Sequence, residues 1–458
     1  MNEFAVKILY GKTEKCTTET VDIEHDIKIK YPVASRILQN LMVDKANRAF
    51  SEIKEIKISD WLDIFISMGH SLRSRLNSNA ADINHLVRIA SSTSGVAVNR
   101  LKKAIDRVAV DMIKIEEILE NQTQGRLSVL DEALFSDKRT WGYIPSGNNI
   151  AVKIPGNYPT ININWLLLLA MKRPVLLCAS YRDPVTPFLF AKELYNQGVP
   201  DGAVSLVYEQ FETFQNRCNQ LMVSGSMKEI HPSNQVKTKY YHNGRSKILL
   251  LENNVPDDIY RRMAHLSMRG SGKLCTNVST LIVCENEQMH AELLAKSMLA
   301  LSGVRQIDKD NTILPFFTPT QAADLESLVN DAIKNGAVDI SQKVSGLPFI
   351  IKKDDNSCYI RPTVLLMDVN NPVFNTELPF PFVIVSRLEV ENIPMVCRGS
   401  LIVSVIGNNE PLITKLVSDP SLDKVFTGPH FDRGYHPTDT HEGFLFDFIF
   451  QKKTIVLC

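Results

Sequence analysis

An α/β fold in two domains, each built on a parallel sheet, is what the sequence predicts, and three observations predict it. The chain has 458 residues, more than one ordinary core fills, so two domains with a small appendage are expected. Residues 32–124 place apolar side chains at three- and four-residue steps with charges between, the spacing of long amphipathic helices. After Ser128 short apolar or β-branched runs alternate with helical stretches, in one set before Cys275 and another after it. Strands that alternate with helices indicate parallel βαβ units.

Taken in order, "ISDWLDIFISMGHSLRSRL" and "VNRLKKAIDRVAVDMIKIEEIL" read as long helices covering something flat. The runs "NNIAVKI", "PVLLCAS", "AVSLVY", "QLMVSG" and "KILLLEN" are bounded by Gly, Pro or Asn and read as strands. The helix "VTPFLFAKELYNQG" lies among them. The second set comprises strand "VSTLIVCEN", helices "EQMHAELLAKSMLAL" and "TPTQAADLESLVNDAIKNG", then strands "TVLLMDV", "PFVIVSRL" and "LIVSVIG". The closing "FLFDFIFQKKTIVLC" is apolar and rich in β-formers, and is expected to be a strand paired with something, often another subunit.

Several function classes are disfavoured at once. Lys plus Arg number 51 against 51 Asp plus Glu, so neither nucleic acid nor an anionic membrane is expected as a bulk partner. The opening "MNEFAVKILYGKTEK" shows no secretory signal. The most apolar run, "WLLLLAMKRPVLLCA", is broken by Lys172, Arg173 and Pro174, too early for a membrane span of about 20 residues. Eight cysteines are scattered without a C-x-x-C pair, so no metal site or disulfide framework is expected, and a reduced, cytoplasmic compartment is the expectation. "MRGSGKLCTN" has the look of a phosphate loop, but Ser267 stands where its first glycine belongs and Leu274 where the magnesium-binding hydroxyl belongs.

Seven short segments carry more specific information: "PGNYP", "CASYRDP" (178–184), "VSGS" (223–226), "YHNGRS" (241–246), "GKLC" (272–275), "PTVL" (362–365) and "ELPFP" (377–381). In this order and at nearly this spacing they resemble the aldehyde dehydrogenase superfamily over nearly the whole chain. The resemblance implies an aldehyde dehydrogenase-like fold. Its parts would be a Rossmann-like nucleotide-binding domain (1–130 and 147–245), an α/β catalytic domain (246–430) and small oligomerisation strands (131–146 and 441–458). It further implies Cys275 as nucleophile and the side-chain amide of Asn157 as an oxyanion donor. Glu377 would take the nicotinamide ribose hydroxyls, with Ser180, Arg182, Gly225 and Ser226 also at the cofactor. The chemistry agrees: a thiolate adds to an aldehyde or thioester carbonyl, and the Cys275 amide can donate to the resulting oxyanion.

Three departures from the family pattern shape the expected activity. Tyr241 stands where hydrolytic members carry the glutamate that activates water; without it hydrolysis of a thioacyl-enzyme loses its general base. His242 is adjacent, but neighbours on an extended segment point opposite ways. Cys178 replaces an adenosine-ribose lysine and Tyr181 a nearby glutamate, while Arg182 adds a positive charge, which favours NADPH over NADH. In "GSMKEI" the last glycine of the family's helix start is missing.

The expected function is therefore NAD(P)H-dependent reduction of an acyl thioester, on coenzyme A or an acyl carrier protein, to an aldehyde, or the reverse, in a homodimer or tetramer. Oxidation of an aldehyde to a carboxylic acid is one rival, and a non-catalytic member with lost cofactor binding is another. The apolar residues around Trp165 fit a core or a substrate tunnel.

Overall fold

A computed structural model describes residues 3–24, 27–131, 141–225, 236–353 and 357–454. The chain divides into two compact units, the first of Met1–Ser94, Leu101–His242 and Pro437–Cys458, the second of Gly95–Arg100 and Asn243–His436.

The first unit is built on a seven-stranded sheet. In chain order its strands are β2 (Ile8–Tyr10), β3 (Thr13–Lys15), β7 (Ile150–Ile154), β8 (Val175–Ala179), β9 (Val204–Tyr208), β10 (Gln220–Ser224) and β11 (Lys237–Tyr241), and in space they run β11-β10-β7-β8-β9-β2-β3. The five from β7 to β11 are mutually parallel, and the β2–β3 hairpin closes the β9 edge antiparallel. Strands β8 and β9 are buried along their whole length, which explains their unbroken apolar runs: both faces of a parallel sheet are covered. On one face lie α1 (Arg36–Ile53) and α8 (Glu212–Arg217), whose Met42, Val43, Ala46 and Phe214 pack on Ala151, Leu176, Val207 and Leu221. Helices α2 (Ile58–Asn77), α3 (Ala81–Ser94), α4 (Val98–Ile113), α5 (Ile115–Gln122), α6 (Ile163–Ala170) and α7 (Thr186–Asn196) complete the helical set, α6 packing on β8 and α7 on β9.

The apolar run that was too short to cross a membrane resolves into α6, a turn and β8. Every residue of α6 is buried, and Trp165 donates its Nε1–H to Asn162 Oδ1 at 2.7 Å, so this segment is core. The turn falls at Lys172, which adopts a left-handed φ of 63° and sends its ammonium to Asp131 Oδ1 at 2.8 Å. Among the described residues no helix is long and apolar enough to cross a membrane.

A small sheet of β1 (Glu3–Ala5), β4 (Thr20–Glu24) and β5 (Lys28–Pro32) also belongs to this unit. So does a two-stranded ribbon of β6 (Trp141–Pro145) with β22 (Phe450–Thr454). Here the expectation of one long terminal strand is corrected. Residues Leu445–Ile449 form a short helix, α15, and only then does β22 begin, pairing with β6 of the same chain. The cause is local anchoring: Gln122 accepts from the Leu445 N–H at 3.1 Å, and Leu445, Phe446, Phe448 and Ile449 all turn inward, which alternating strand geometry forbids. Residues 132–140 and 455–458 of the expected strands lie outside the described residues.

The second unit repeats the architecture. Its sheet runs β15 (Val338–Asp339), β18 (Thr363–Leu366), β19 (Phe382–Arg387), β13 (Val278–Val283), β12 (Ser246–Leu250), β20 (Ile402–Ile406) and β21 (Lys424–Thr427), parallel except at β15. Helices α9 (Asp257–Met268), α10 (Glu287–Ser302) and α12 (Ile340–Ser345) cover one face, while α13 (Ile393–Cys397) and α14 (Glu410–Val417) cover the other. Helix α11 (Pro319–Lys334) packs with a small antiparallel sheet of β14 (Phe316–Phe317), β17 (Cys358–Ile360) and β16 (Ile350–Lys352). A buried ion pair ties this sheet to the main one. The guanidinium of Arg361 forks onto Asp339, with Nη2 to Oδ2 at 2.7 Å and Nη1 to Oδ1 at 3.2 Å.

Arg361 is fully buried, so Asp339→Ala strands its charge without a counterion. We expect a loss of about 3–5 kcal/mol in a urea titration; a loss below about 1 kcal/mol contradicts this role.

Candidate active site

The sequence around Cys275 folds into a strained loop. Helix α9 ends at Met268, and Gly270, Ser271 and Gly272 then take left-handed φ values of 51°, 60° and 80°. Glycine adopts this conformation freely, whereas Ser271 incurs roughly 1–3 kcal/mol of strain of the kind found at functional sites. The Ser271 hydroxyl is buried without a hydrogen-bond partner among the described residues, which adds to that cost. The loop is held by Lys273 N–H to Gly270 O at 3.1 Å, Asn277 N–H to Leu274 O at 3.0 Å and Asn277 Nδ2–H to Arg269 O at 2.8 Å. Cys275 is left half-exposed at the turn. The lysine that suggested a phosphate loop sits elsewhere: Lys273 Nζ lies 5.6 Å from the centre of the Phe317 ring.

Two glycines make this geometry possible. A Cβ on Gly272 would stand 2.2 Å from the carbonyl carbon of Phe380, and one on Gly244 only 1.7 Å from the carbonyl oxygen of Cys275. The loops concerned enter neighbouring parallel strands. Gly244 precedes β12, Cys275 precedes β13 and Glu377 precedes β19, so they gather at the amino edge of one sheet. Glu377 fastens this edge, accepting from Gly244 N–H at 3.2 Å and Arg245 N–H at 2.5 Å. Burial pushes its carboxyl above the ordinary value, and those N–H groups pull the other way. Below them Lys247 is buried, donating to Arg245 O and Ser400 Oγ, each at 2.9 Å. Burial pulls its ammonium down to about 8.

In the first unit the residues expected at the cofactor gather at the carboxyl edge of the sheet. Asn157 is exposed in the bend just after β7. Ser180 ends the β8 run, its N–H bonded to Ile154 O at 3.2 Å, and its hydroxyl accepts from Arg182 N–H at 3.3 Å. Gly156 allows this crowding, since a Cβ there would lie 2.4 Å from that of Arg182. The Arg182 side chain itself is exposed. Tyr181 packs its ring 4.4 Å from that of Tyr31, and Asp183 accepts from the N–H of Thr186, the first residue of α7, at 3.0 Å. Gly225 follows β10 with φ 110°, and among the described residues nothing lies within 4 Å of a Cβ built on it. Ser226 lies outside the described residues. Cys178 is buried on β8 and its thiol is pushed far up by burial, so it does not supply the positive charge of a lysine.

Tyr241, at the end of β11, is 6% exposed and stacks on His441 with ring centres 5.0 Å apart. His242 is exposed, pointing the other way as an extended segment requires. Its backbone N–H reaches Glu442 Oε1 at 3.4 Å, a carboxylate that no pattern in the sequence marks. The same holds for Gln39 and Glu209, which with Lys153 line a groove of about 580 Å³. Only Lys153 carries a signal, being a charge inside an otherwise apolar strand. Among the described residues no group of His, Cys, Asp and Glu is arranged to hold a metal ion.

Residues 23–393 match the aldehyde dehydrogenase family. The chain belongs to that family. Solved structures agree in fold over essentially the whole length. Aldehyde dehydrogenase 21 from Physcomitrella patens, in complex with the reaction product succinate, superposes with a TM-score of 0.74 at 14% identity, covering 100% of this chain and 99% of that one. An NADP-dependent enzyme of E. coli gives a TM-score of 0.77 at 15% identity, with 99% and 98% covered. A mutant of aldehyde dehydrogenase C from Pseudomonas syringae, complexed with NAD+ and octanal, gives 0.76 at 15% identity, with 98% and 96% covered. No curated protein matches the sequence. The fold is thus the aldehyde dehydrogenase fold, and the chain is a divergent oxidoreductase of that family.

Two variants probe the Cys275 edge. Gly244→Ala should lower stability by about 1–3 kcal/mol or more through overpacking. Gly303→Ala, at φ 62° with nothing among the described residues within 4 Å of its Cβ, should show only backbone strain; equal melting temperatures for the two variants contradict the contact. For Lys247, the unfolded chain holds its proton up to the ordinary 10.5 and the folded chain only to about 8. Between those values the unfolded state binds more protons, so stability rises with pH. Raising the pH across that window should therefore favour wild type over Lys247→Met by up to about 3 kcal/mol in chemical denaturation, and a pH-independent difference contradicts it.

Proposed function

We propose that this protein reduces an acyl thioester, carried by coenzyme A or an acyl carrier protein, to an aldehyde, or runs the reverse, through a thioacyl intermediate on Cys275. The carrying observation is Tyr241: the position that the resemblance gives to a water-activating carboxylate holds a phenol buried against His441. Water is a poor nucleophile without a general base, whereas a thiol needs far less activation. The Cys275 thiolate attacks the thioester carbonyl, and the Asn157 amide and the Cys275 N–H donate to the oxyanion. The carrier thiol leaves, and the acyl group stays on sulfur.

A nicotinamide dinucleotide, NADPH or NADH, is the proposed cofactor; when bound it supplies or takes up hydride. The NAD+ in the Pseudomonas syringae complex and the NADP dependence of the E. coli enzyme support it. Ser180, Arg182, Gly225 and Ser226 are the proposed contacts at the carboxyl edge of the first unit. Glu377 fits its proposed part because each carboxylate oxygen has a second lone pair beyond the one given to the 244–245 N–H groups, enough to accept from ribose hydroxyls. The proposal includes a cytoplasmic homodimer or tetramer assembled through the β6–β22 ribbon.

One observation favours a second reading. Glu442 brings a carboxylate to the backbone of His242, next to Tyr241, and a carboxylate there could activate water for oxidation of an aldehyde to an acid.

The test supplies an acyl-CoA with NADH or NADPH and follows aldehyde and free thiol. Both should form, and Cys275→Ala should reduce them at least about 10³-fold. The contrary result is acid from an aldehyde and oxidised cofactor with no thiol added, abolished by Glu442→Gln.

A further inference from the structure

Lys247 is the one charged residue of β12, an interior strand of the second sheet that is buried along its whole length. Burying an ammonium is costly unless its hydrogens are met, and the two acceptors of Lys247, Arg245 O and Ser400 Oγ, are both neutral. The lysine also sits at a break in the strand ladder. The register of β12 against β13 jumps from Ser246 opposite Val278 to Lys247 opposite Thr280, an irregularity of the bulge kind, which re-aims side chains locally.

The bond to Arg245 reaches a strained residue. Arg245 takes a left-handed φ of 44°, which a residue other than glycine keeps only under restraint. Two charged side chains restrain it. Glu377 Oε1 accepts from its N–H at 2.5 Å, and Lys247 Nζ donates to its C=O at 2.9 Å. The residues on either side of Arg245 are the ones that meet the Cys275 main chain. Gly244 leaves room for the Cys275 carbonyl oxygen, and Ser246 donates its hydroxyl to that oxygen at 3.4 Å. The second bond of Lys247 acts on the same place: Ser400 precedes Leu401, whose N–H donates to Gly244 O at 2.7 Å. Both bonds of the lysine therefore converge on the placement of Gly244.

We propose that Lys247 is a positioning residue for Cys275. By holding Arg245 in its left-handed turn it keeps Gly244 seated against the Cys275 carbonyl, and so fixes how the thiol is presented. The inference rests on Cys275 as the proposed nucleophile. Methionine has a similar length but no donor, so Lys247→Met leaves the Arg245 carbonyl unmet and lets the turn relax. Glycine at 245 takes the left-handed turn without restraint, and the lysine then has little left to hold. A lysine that merely fills its site gives no such dependence on residue 245.

Acetylation of the full chain by p-nitrophenyl acetate, without cofactor, tests this. The thiolate bonds to the acetyl carbon, the ester C–O bond breaks, and p-nitrophenolate leaves with its electron pair. Intact mass follows the adduct, with Cys275→Ala as the blank. Lys247→Met should slow acetylation at least about tenfold, because a slightly misplaced nucleophile loses most of its advantage. In an Arg245→Gly background the same substitution should cost less than about threefold. Lys247→Gln, which keeps an N–H donor on a shorter arm, is read in the same two backgrounds and should show the same dependence on residue 245, so the cycle survives if Lys247→Met does not fold. Unchanged acetylation in the lysine variants, or an equal loss in both backgrounds, overturns the inference. A wild type that is not acetylated at Cys275 overturns the thioester reading with it. The predicted coupling without aldehyde from acyl-CoA and reduced cofactor overturns that reading alone.

Discussion

A Cβ at position 244 would stand 1.7 Å from the carbonyl oxygen of Cys275, and the chemistry of the second unit depends on the absence of that atom. Because β12 and β13 are parallel neighbours, the segments entering them must lie side by side, and here they touch backbone to backbone. Gly272 allows the same intimacy with Phe380, on the segment that leads to β19. Three chain segments thus brace one another through main-chain atoms, which do not rotate away as side chains do. Glu377 completes the arrangement by accepting from Gly244 and Arg245, so a carboxylate proposed for cofactor binding also fixes the thiol loop. The left-handed run 270–272 is the conformational cost of presenting Cys275 half-exposed at a sheet edge.

The first unit follows the other rule of parallel sheets, with polar groups collected where β7, β8, β9 and β10 end. Burial along these strands leaves no room for polar side chains except at their termini, so Asn157, Ser180, Gly225 and Glu209 all fall within a few residues of a strand end. Lys153 is the exception that points to the groove, the one charged residue in β7.

Much of this could be read from the residues alone, for identifiable reasons. Strands such as "PVLLCAS" are short unbroken apolar runs closed by turn formers, the length and flanks that suit a strand covered on both faces. The thiol loop was legible because "GKLC" falls in its place among seven segments that together resemble one family. The terminal "FLFDFIF" was misread because an apolar run without alternation fits helix and strand equally, and the choice was made by Gln122, more than three hundred residues away. Glu442 and Glu209 were illegible for the same reason. Each acts on a backbone N–H belonging to another part of the chain, and no local pattern announces such a partner. Gln39 looks in sequence like one more polar residue of an amphipathic helix, and only the structure reveals that it is buried with an Oε1 that has no hydrogen-bond partner among the described residues.

The identity of the final nucleophile separates thioester chemistry from acid formation, and it can be observed on the protein itself. Intact-mass spectrometry after a brief exposure to acyl-CoA without reduced cofactor, followed by removal of free thiol, reports the acyl group on Cys275 directly. With Tyr241 in place of a water-activating carboxylate, the adduct should persist for many minutes in buffer and disappear promptly when a thiol is added. An adduct lost within seconds to water, with free carboxylic acid as the product, contradicts the proposed mechanism.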